Sequence, residues 1–122
     1  MKRAALLGLI VAAGQSWALT GNQVLELMPA DRDGDLLLST YARGLLDAET
    51  LVRVNGISAA RAGAQYAPSF CTPKGASVSQ AAAIVRKELL SAPENNHQDI
   101  AVIARRSLLK AWPCDDSWIK RD

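Results

Sequence analysis

The sequence predicts a small all-α domain of about four to five helices, the last two forming a hairpin closed by a disulfide. Three observations predict it. Apolar residues recur at helical spacing in several separate stretches, while the period-two alternation of a half-buried strand is nearly absent. Turns bearing Pro and Gly separate those stretches. The only two cysteines, Cys71 and Cys114, flank the last two of them.

The N-terminus reads as an export signal. Met1-Lys2-Arg3 is a short basic head, Ala4 to Gly14 is almost purely apolar, and Ser16-Trp17-Ala18 offers small residues before a cut that releases Leu19. The apolar run is about half the roughly 20 residues that a membrane span needs. The predicted division is therefore a signal peptide over residues 1–18 and one helical domain over residues 19–122. Taking 18 of the 122 residues away leaves 104, enough for one modest core. The signal also carries off Lys2 and Arg3, so the 14 basic residues fall to 12, against 12 acids. A balanced chain whose basic residues are scattered, with no aromatics between them, gives no argument for nucleic acid. No membrane span is expected in the mature form, which should be soluble and exported; the periplasm as its location is what the resemblance given below implies.

Compartment also governs the cysteines. In an oxidising space, two cysteines most simply form one intramolecular bridge. Two free thiols or an intermolecular bridge are the alternatives. Zinc fails because two Cys and the single His97 do not build a closed four-ligand site.

The helices follow in order. A short one is expected from Gly21 to Met28, ended by Pro29 and the turn "ADRDGD". A longer one should run from about Asp35 to Val52, with Leu38, Tyr41, Ala42, Leu45, Ala48 and Val52 on one face. Gly44 within it marks either a close approach by a neighbour or a tolerated cost of about 1 kcal/mol. The stretch from Asn55 to Pro68 is the least readable, a short helix between two loops at best. After Cys71, Pro73 and Gly75 make a turn. Ser77 and Gln80 then form a capping box for a helix from Val78 to about Leu90. Its buried side is Val78, Ala81, Ala82, Val85 and Leu89. Pro93 stops it, and "PENNH" makes a polar tip. Asn96 is the expected cap of the last helix, with Asp99 at its third position. Ile100, Ile103, Ala104, Leu108 and Ala111 form the apolar stripe of that helix. In an antiparallel hairpin Cys71 and Cys114 fall at the same, open end.

Chemistry-bearing patterns are few. "DRDGD", Asp31 to Asp35, suggests a calcium loop, but the frame from Asp31 puts Leu36 and Ala42 where Gly and a bidentate Glu belong. The frame that fits Gly34 puts Pro29 first and Thr40 last. A turn that caps the next helix fits better. His97 has no nucleophile beside it in a recognisable motif, and the acids are dispersed. Trp112 and Trp118 read as packing residues. No catalytic residue, metal ligand or cofactor is expected, and the chain does not read as an enzyme.

Three pieces, in order, carry a resemblance: "YARGLLDA" (Tyr41 to Ala48), "FCTPKGASVSQ" (Phe70 to Gln80) and "LLKAWPC" (Leu108 to Cys114). The set resembles the Tai family of immunity proteins, also called Rap-type, over about residues 36–114. Its most specific parts are the Phe-Cys-x-Pro-x-Gly turn and the closing aromatic-Pro-Cys. Trp112 stands where Phe is commoner, and Val54 to Ser69 aligns with nothing.

The resemblance implies a small, exported, all-helical, disulfide-bonded protein. It would act as a homodimer that inhibits a peptidoglycan-cleaving amidase delivered by type VI secretion, covering the amidase cleft with a loop. Carried over residue by residue, it implies scaffold roles for Tyr41, Gly44, Asp47, Phe70, Pro73, Gly75 and Pro113. It also implies that Cys71 and Cys114 are the structural disulfide. The blocking loop has no motif to match; the polar tip supplies the candidate partner residues Glu94, Asn95, Asn96 and His97. The alternative is a periplasmic helical chaperone or stress protein, or an immunity fold without a toxin partner.

Overall fold

A computed structural model describes residues 18–61, 63 and 68–115. The signal-peptide stretch through Trp17, Trp118, and most of the segment between Arg61 and Pro68 lie outside the described residues. Four α-helices are described: α1 (Gly21–Leu27), α2 (Arg32–Arg61), α3 (Val78–Ser91) and α4 (Ile100–Ala111), with a 3-10 turn over Pro93–Asn95 between the last two. The described residues hold no strand, only an isolated antiparallel bridge between Thr20 and Asp99. The predicted all-α class is what forms.

Helix α3 is central, with α2 packed on one side and α4 on the other, while α1 packs on α4. The core joins Val24 from α1, Leu38 and Ala42 from α2, and Phe70 from the segment before α3. Ala81, Val85 and Leu89 of α3 and Ile100, Ile103 and Leu108 of α4 complete its centre. The expected stripe on α3 holds, with Val78 at its edge. On α4, Ser107 is buried and Ala111 exposed, the reverse of the sequence reading. Ser107 can go inside because its hydroxyl donates to Ala104 O at 2.9 Å, leaving no buried donor unmet.

The helix ends are set locally. Ser77 and Gln80 form the predicted capping box, Gln80 N donating to Ser77 Oγ at 3.1 Å and Ser77 N to Gln80 Oε1 at 2.7 Å. Thr20 and Gln23 make the same device at α1, a signal present in the sequence and not used. Gly75 takes φ +86°, a left-handed turn conformation that suits glycine. The "DRDGD" segment is the capping turn: Asp31 Oδ1 accepts from Gly34 N at 2.7 Å as α2 begins. Among the described residues no cluster of His, Cys, Asp and Glu could hold a metal ion.

Two expectations for α2 are corrected. It begins at Arg32 and runs unbroken to Arg61, so Asn55–Arg61 is no separate helix. No proline intervenes before Pro68, and one glycine costs only about 1 kcal/mol within a helix. Its core-facing stripe also ends early: Leu38 and Ala42 are buried and Leu45 half-buried, but Ala48 is exposed and Val52 is 48% exposed. The cause is length. At about 1.5 Å per residue, the 30 residues of α2 make a helix about twice as long as the 14 of α3.

The two loops that frame this packing are tightly tied. Arg86 of α3, its side chain only 13% exposed, donates to Met28 O at 2.9 Å and Pro29 O at 3.3 Å and pairs with Asp35 at 2.9 Å. It thus satisfies carbonyls left over at the end of α1 and pins the α1–α2 turn to the hairpin. Gly34 sits under that turn; a Cβ there would lie 1.8 Å from Pro29 O. At the other end, Cys71 and Cys114 are joined, as expected from the compartment and the resemblance. Cys71 N also donates to Trp112 O at 3.0 Å, and the Phe70 and Trp112 rings lie 6.5 Å apart.

Two stability tests follow. The disulfide closes a span of 43 residues, for which chain entropy gives about 4 kcal/mol as an upper value. Reduction should lower the urea midpoint by an equivalent of about 2–4 kcal/mol; an unchanged midpoint would remove the bond from the stability argument. Gly34→Ala should cost about 1–3 kcal/mol by forcing the turn off α2, read in the same denaturation experiment.

Candidate functional site

The hairpin tip between α3 and α4 is built from inside and outside halves. Helix α3 ends at Ser91 with Ala92 as its C-cap, and Pro93 opens the 3-10 turn that reverses the chain. Asn96 then turns inward. It is 1% exposed, and its Nδ2 donates to Leu89 O at 2.8 Å. This corrects the expected cap: α4 starts at Ile100 with Asp99 as N-cap residue, and Asn96 caps nothing there. The carbonyl of Leu89, in the last turn of α3, has no helical partner of its own. Buried, it needs a donor more than an exposed helix start does.

The segment before α1 covers this tip. Gly21 N donates to Gln98 O at 3.0 Å, Asn22 N to Asn96 O at 2.9 Å, and Ile100 N to Leu19 O at 2.7 Å. Gly21 permits the approach: a Cβ would fall 2.8 Å from Ile103 Cδ1, 2.9 Å from Leu89 Cδ2 and 3.1 Å from Asn96 Cα. The tip is therefore no free polar loop. Its outer half is Glu94 and His97, both exposed, and Asn95, half-buried. His97 Nδ1 lies 3.0 Å from Glu94 O, which as a carbonyl can only accept, so the ring is held with Nδ1 protonated. Of the four predicted partner residues, three reach the surface together and Asn96 underlies them.

The open end of the hairpin presents a second surface. The Pro73–Ala76 turn, Gln80, Ile84 and the half-buried Trp112 line a shallow pocket of about 370 Å³. Ser69, just before the disulfide, is gripped from both sides, its N–H donating to Glu49 Oε1 at 2.8 Å and its hydroxyl accepting from Arg105. Glu88 of α3 faces Lys110 at 3.3 Å and Arg106 at 3.9 Å on α4, ion pairs at a partly wet seam that are worth little each.

The remaining scaffold residues separate. Phe70 is buried, and Pro73 and Pro113 are exposed. Tyr41 packs against the core, and burial pushes its phenol above the ordinary value. Asp47 is exposed in an i,i+4 pair with Arg43 at 3.3 Å. Gly44 is exposed, and it marks no close approach among the described residues, none of which lies within 4 Å of where its Cβ would be. Sequence reading missed Arg86, Glu49 and the inward role of Asn96, all of which act over long sequence separations. No described helix is long and apolar enough to cross a membrane.

The described residues thus form a helical hairpin fixed at both ends, with a polar tip at one end and a shallow pocket at the other. The family of Rap1a immunity proteins matches residues 20–114, from the cap of α1 to the second cysteine. The chain belongs to the Rap1a immunity protein family. Comparison with curated proteins found no match. Comparison with solved structures found none either.

The dual role of Asn96 gives a measurable asymmetry. Asn96→Ala leaves Leu89 O buried without a donor and should cost about 1–3 kcal/mol. It should also speed hydrogen exchange at Gly21 and Asn22. Glu94→Ala and His97→Ala should leave both readings unchanged.

Proposed function

We propose that the chain is an exported immunity protein that binds and blocks a peptidoglycan-cleaving amidase delivered by type VI secretion. The signal peptide is cut after Ala18, and the mature domain works in the periplasm as a homodimer. Its action is stoichiometric covering of the amidase cleft, with no catalysis of its own. The observation that carries this reading is the family match over residues 20–114. The disulfide and the apolar N-terminal run agree with export.

The outer half of the tip is the proposed blocking element. Glu94, Asn95 and His97 supply acceptors and a donor on a backbone already fixed by Asn96 and the α1 segment. A loop fixed before binding loses less entropy on docking than a mobile one. The resemblance supplies the partner class, and the tip's exposure and rigidity support its role.

The direct test is periplasmic co-production with amidases of this class from neighbouring bacteria. The full chain should rescue growth against one of them, and a form lacking residues 1–18 should not. Purified oxidised protein should hold that amidase at near-equal stoichiometry through high salt. Glu94→Arg with His97→Glu should weaken the complex at least about tenfold at unchanged thermal stability. Rescue by the form without residues 1–18 would remove the export reading, and weak binding of many clients would favour a chaperone.

A further inference from the structure

Among the described residues, the outer face of α2 carries exposed side chains from Leu36 to Val54. Five of the nine large apolar side chains exposed among the described residues stand on this helix: Leu36, Leu37, Leu51, Val52 and Val54, at 48–65% exposure. The other four are divided among α1, α3 and α4, and the two on α4, Val102 and Leu109, have Arg105 and Arg106 between them.

The α2 residues have an internal order. At about 100° per residue, Leu37, Gly44 and Leu51 fall along one line of the helix. Thr40 and Ala48 flank that line, and all five are exposed. Leu36 and Val52 form its two shoulders. Every apolar residue before Gly44 has a counterpart after it: Leu37 and Leu51 are each two helical turns away, and Leu36 and Val52 one residue further. Between them the helix is bare, because a Cβ on Gly44 would meet nothing described within 4 Å.

Such a pattern is its own complement, the condition that a twofold interface imposes. An axis through Gly44 lays Leu36 and Leu37 of one copy on Leu51 and Val52 of the other, and brings the two backbones together at the glycines. The charges obey the same symmetry. Arg43 and Asp47 lie on one shoulder, both 67% exposed, and the axis sets Arg43 of each copy beside Asp47 of the other. Opposite charges therefore meet where like charges would have opposed docking.

We propose that a second copy of this chain docks on this face, α2 against α2, antiparallel and crossing at Gly44. The inference rests on the self-association put forward above and assigns its surface. It uses none of the tip residues Glu94, Asn95 and His97.

The test uses the oxidised mature domain. Sedimentation velocity over a concentration series is expected to show a dimer. Leu37→Asp with Leu51→Asp, both surface positions, should weaken it at least about 100-fold while circular dichroism stays unchanged. Gly44→Cys should give a covalent dimer through the two introduced thiols under mild oxidation, with peptide mapping showing the Cys71–Cys114 bond intact. Val102→Cys on α4 should give none. A wild-type monomer at every concentration would overturn self-association and this face with it. A dimer that survives the double substitution, or forms no bond at position 44, would overturn the face alone.

Discussion

Asn96 sets the geometry on which most of the molecule depends. The buried side-chain Nδ2 of Asn96 donates to the last turn of α3, while the residue's backbone carbonyl accepts from Asn22 N at the start of α1. The reversal between α3 and α4 is thereby fixed in relation to the N-terminal segment. That segment places Gly21 against Leu89 and Ile103, and Val24 in the core. Helix α1 then delivers the chain to the Met28–Pro29 turn, where Arg86 of α3 receives it and α2 can begin. The order is cyclic: tip, α1, turn, α2, and back to α3. A covalent bond serves the opposite end, beside the backbone hydrogen bond from Cys71 N to Trp112 O and the hold of Glu49 and Arg105 on Ser69. In a small domain with little stability in reserve, fixing both ends of the central hairpin limits the ways it can fray.

How legible each part was in the sequence follows from the range of the forces involved. The Ser77–Gln80 box, the α3 stripe and the Asp31 turn are written within a few residues of one another, and each appears as read. The disulfide follows from compartment and count. Asn96 was misplaced because Asn after Pro and before an apolar run is a good local cap. The competing demand came from Leu89 O across the turn and from α1, far away in sequence. Arg86 and Glu49 carry no local signal at all; their partners are Met28 and Ser69. The end of the α2 stripe could not be read from periodicity, because Val52 continues the phase correctly and is exposed only where α3 has run out.

The candidate surface was half legible. A polar tip between two amphipathic helices is visible as "PENNH", and three of its four candidate partner residues reach the surface. What the string could not express is that the fourth is the reason the other three hold a defined position. Family membership was legible for a different reason. The Phe-Cys-x-Pro-x-Gly turn and the closing Trp-Pro-Cys record a covalent and aromatic junction, Phe70 on Trp112 beside the disulfide, and such junctions tolerate few residue types. They report the scaffold; the partner is chosen by surfaces that the scaffold leaves free to vary.

Those free surfaces are of two kinds, and the difference bears on how binding can be divided between them. The tip is short, polar and braced from beneath, suited to entering a concave site where each hydrogen bond must be met. The α2 face is long and apolar, suited to burying area without demanding exact polar partners. The exposed apolar residues of α2 share no position with the tip residues Glu94, Asn95 and His97. An increment of area on the α2 face and a change of polar groups at the tip are then nearly independent substitutions. Sites without shared neighbours act additively, so substitutions at one surface are expected to leave the other unchanged.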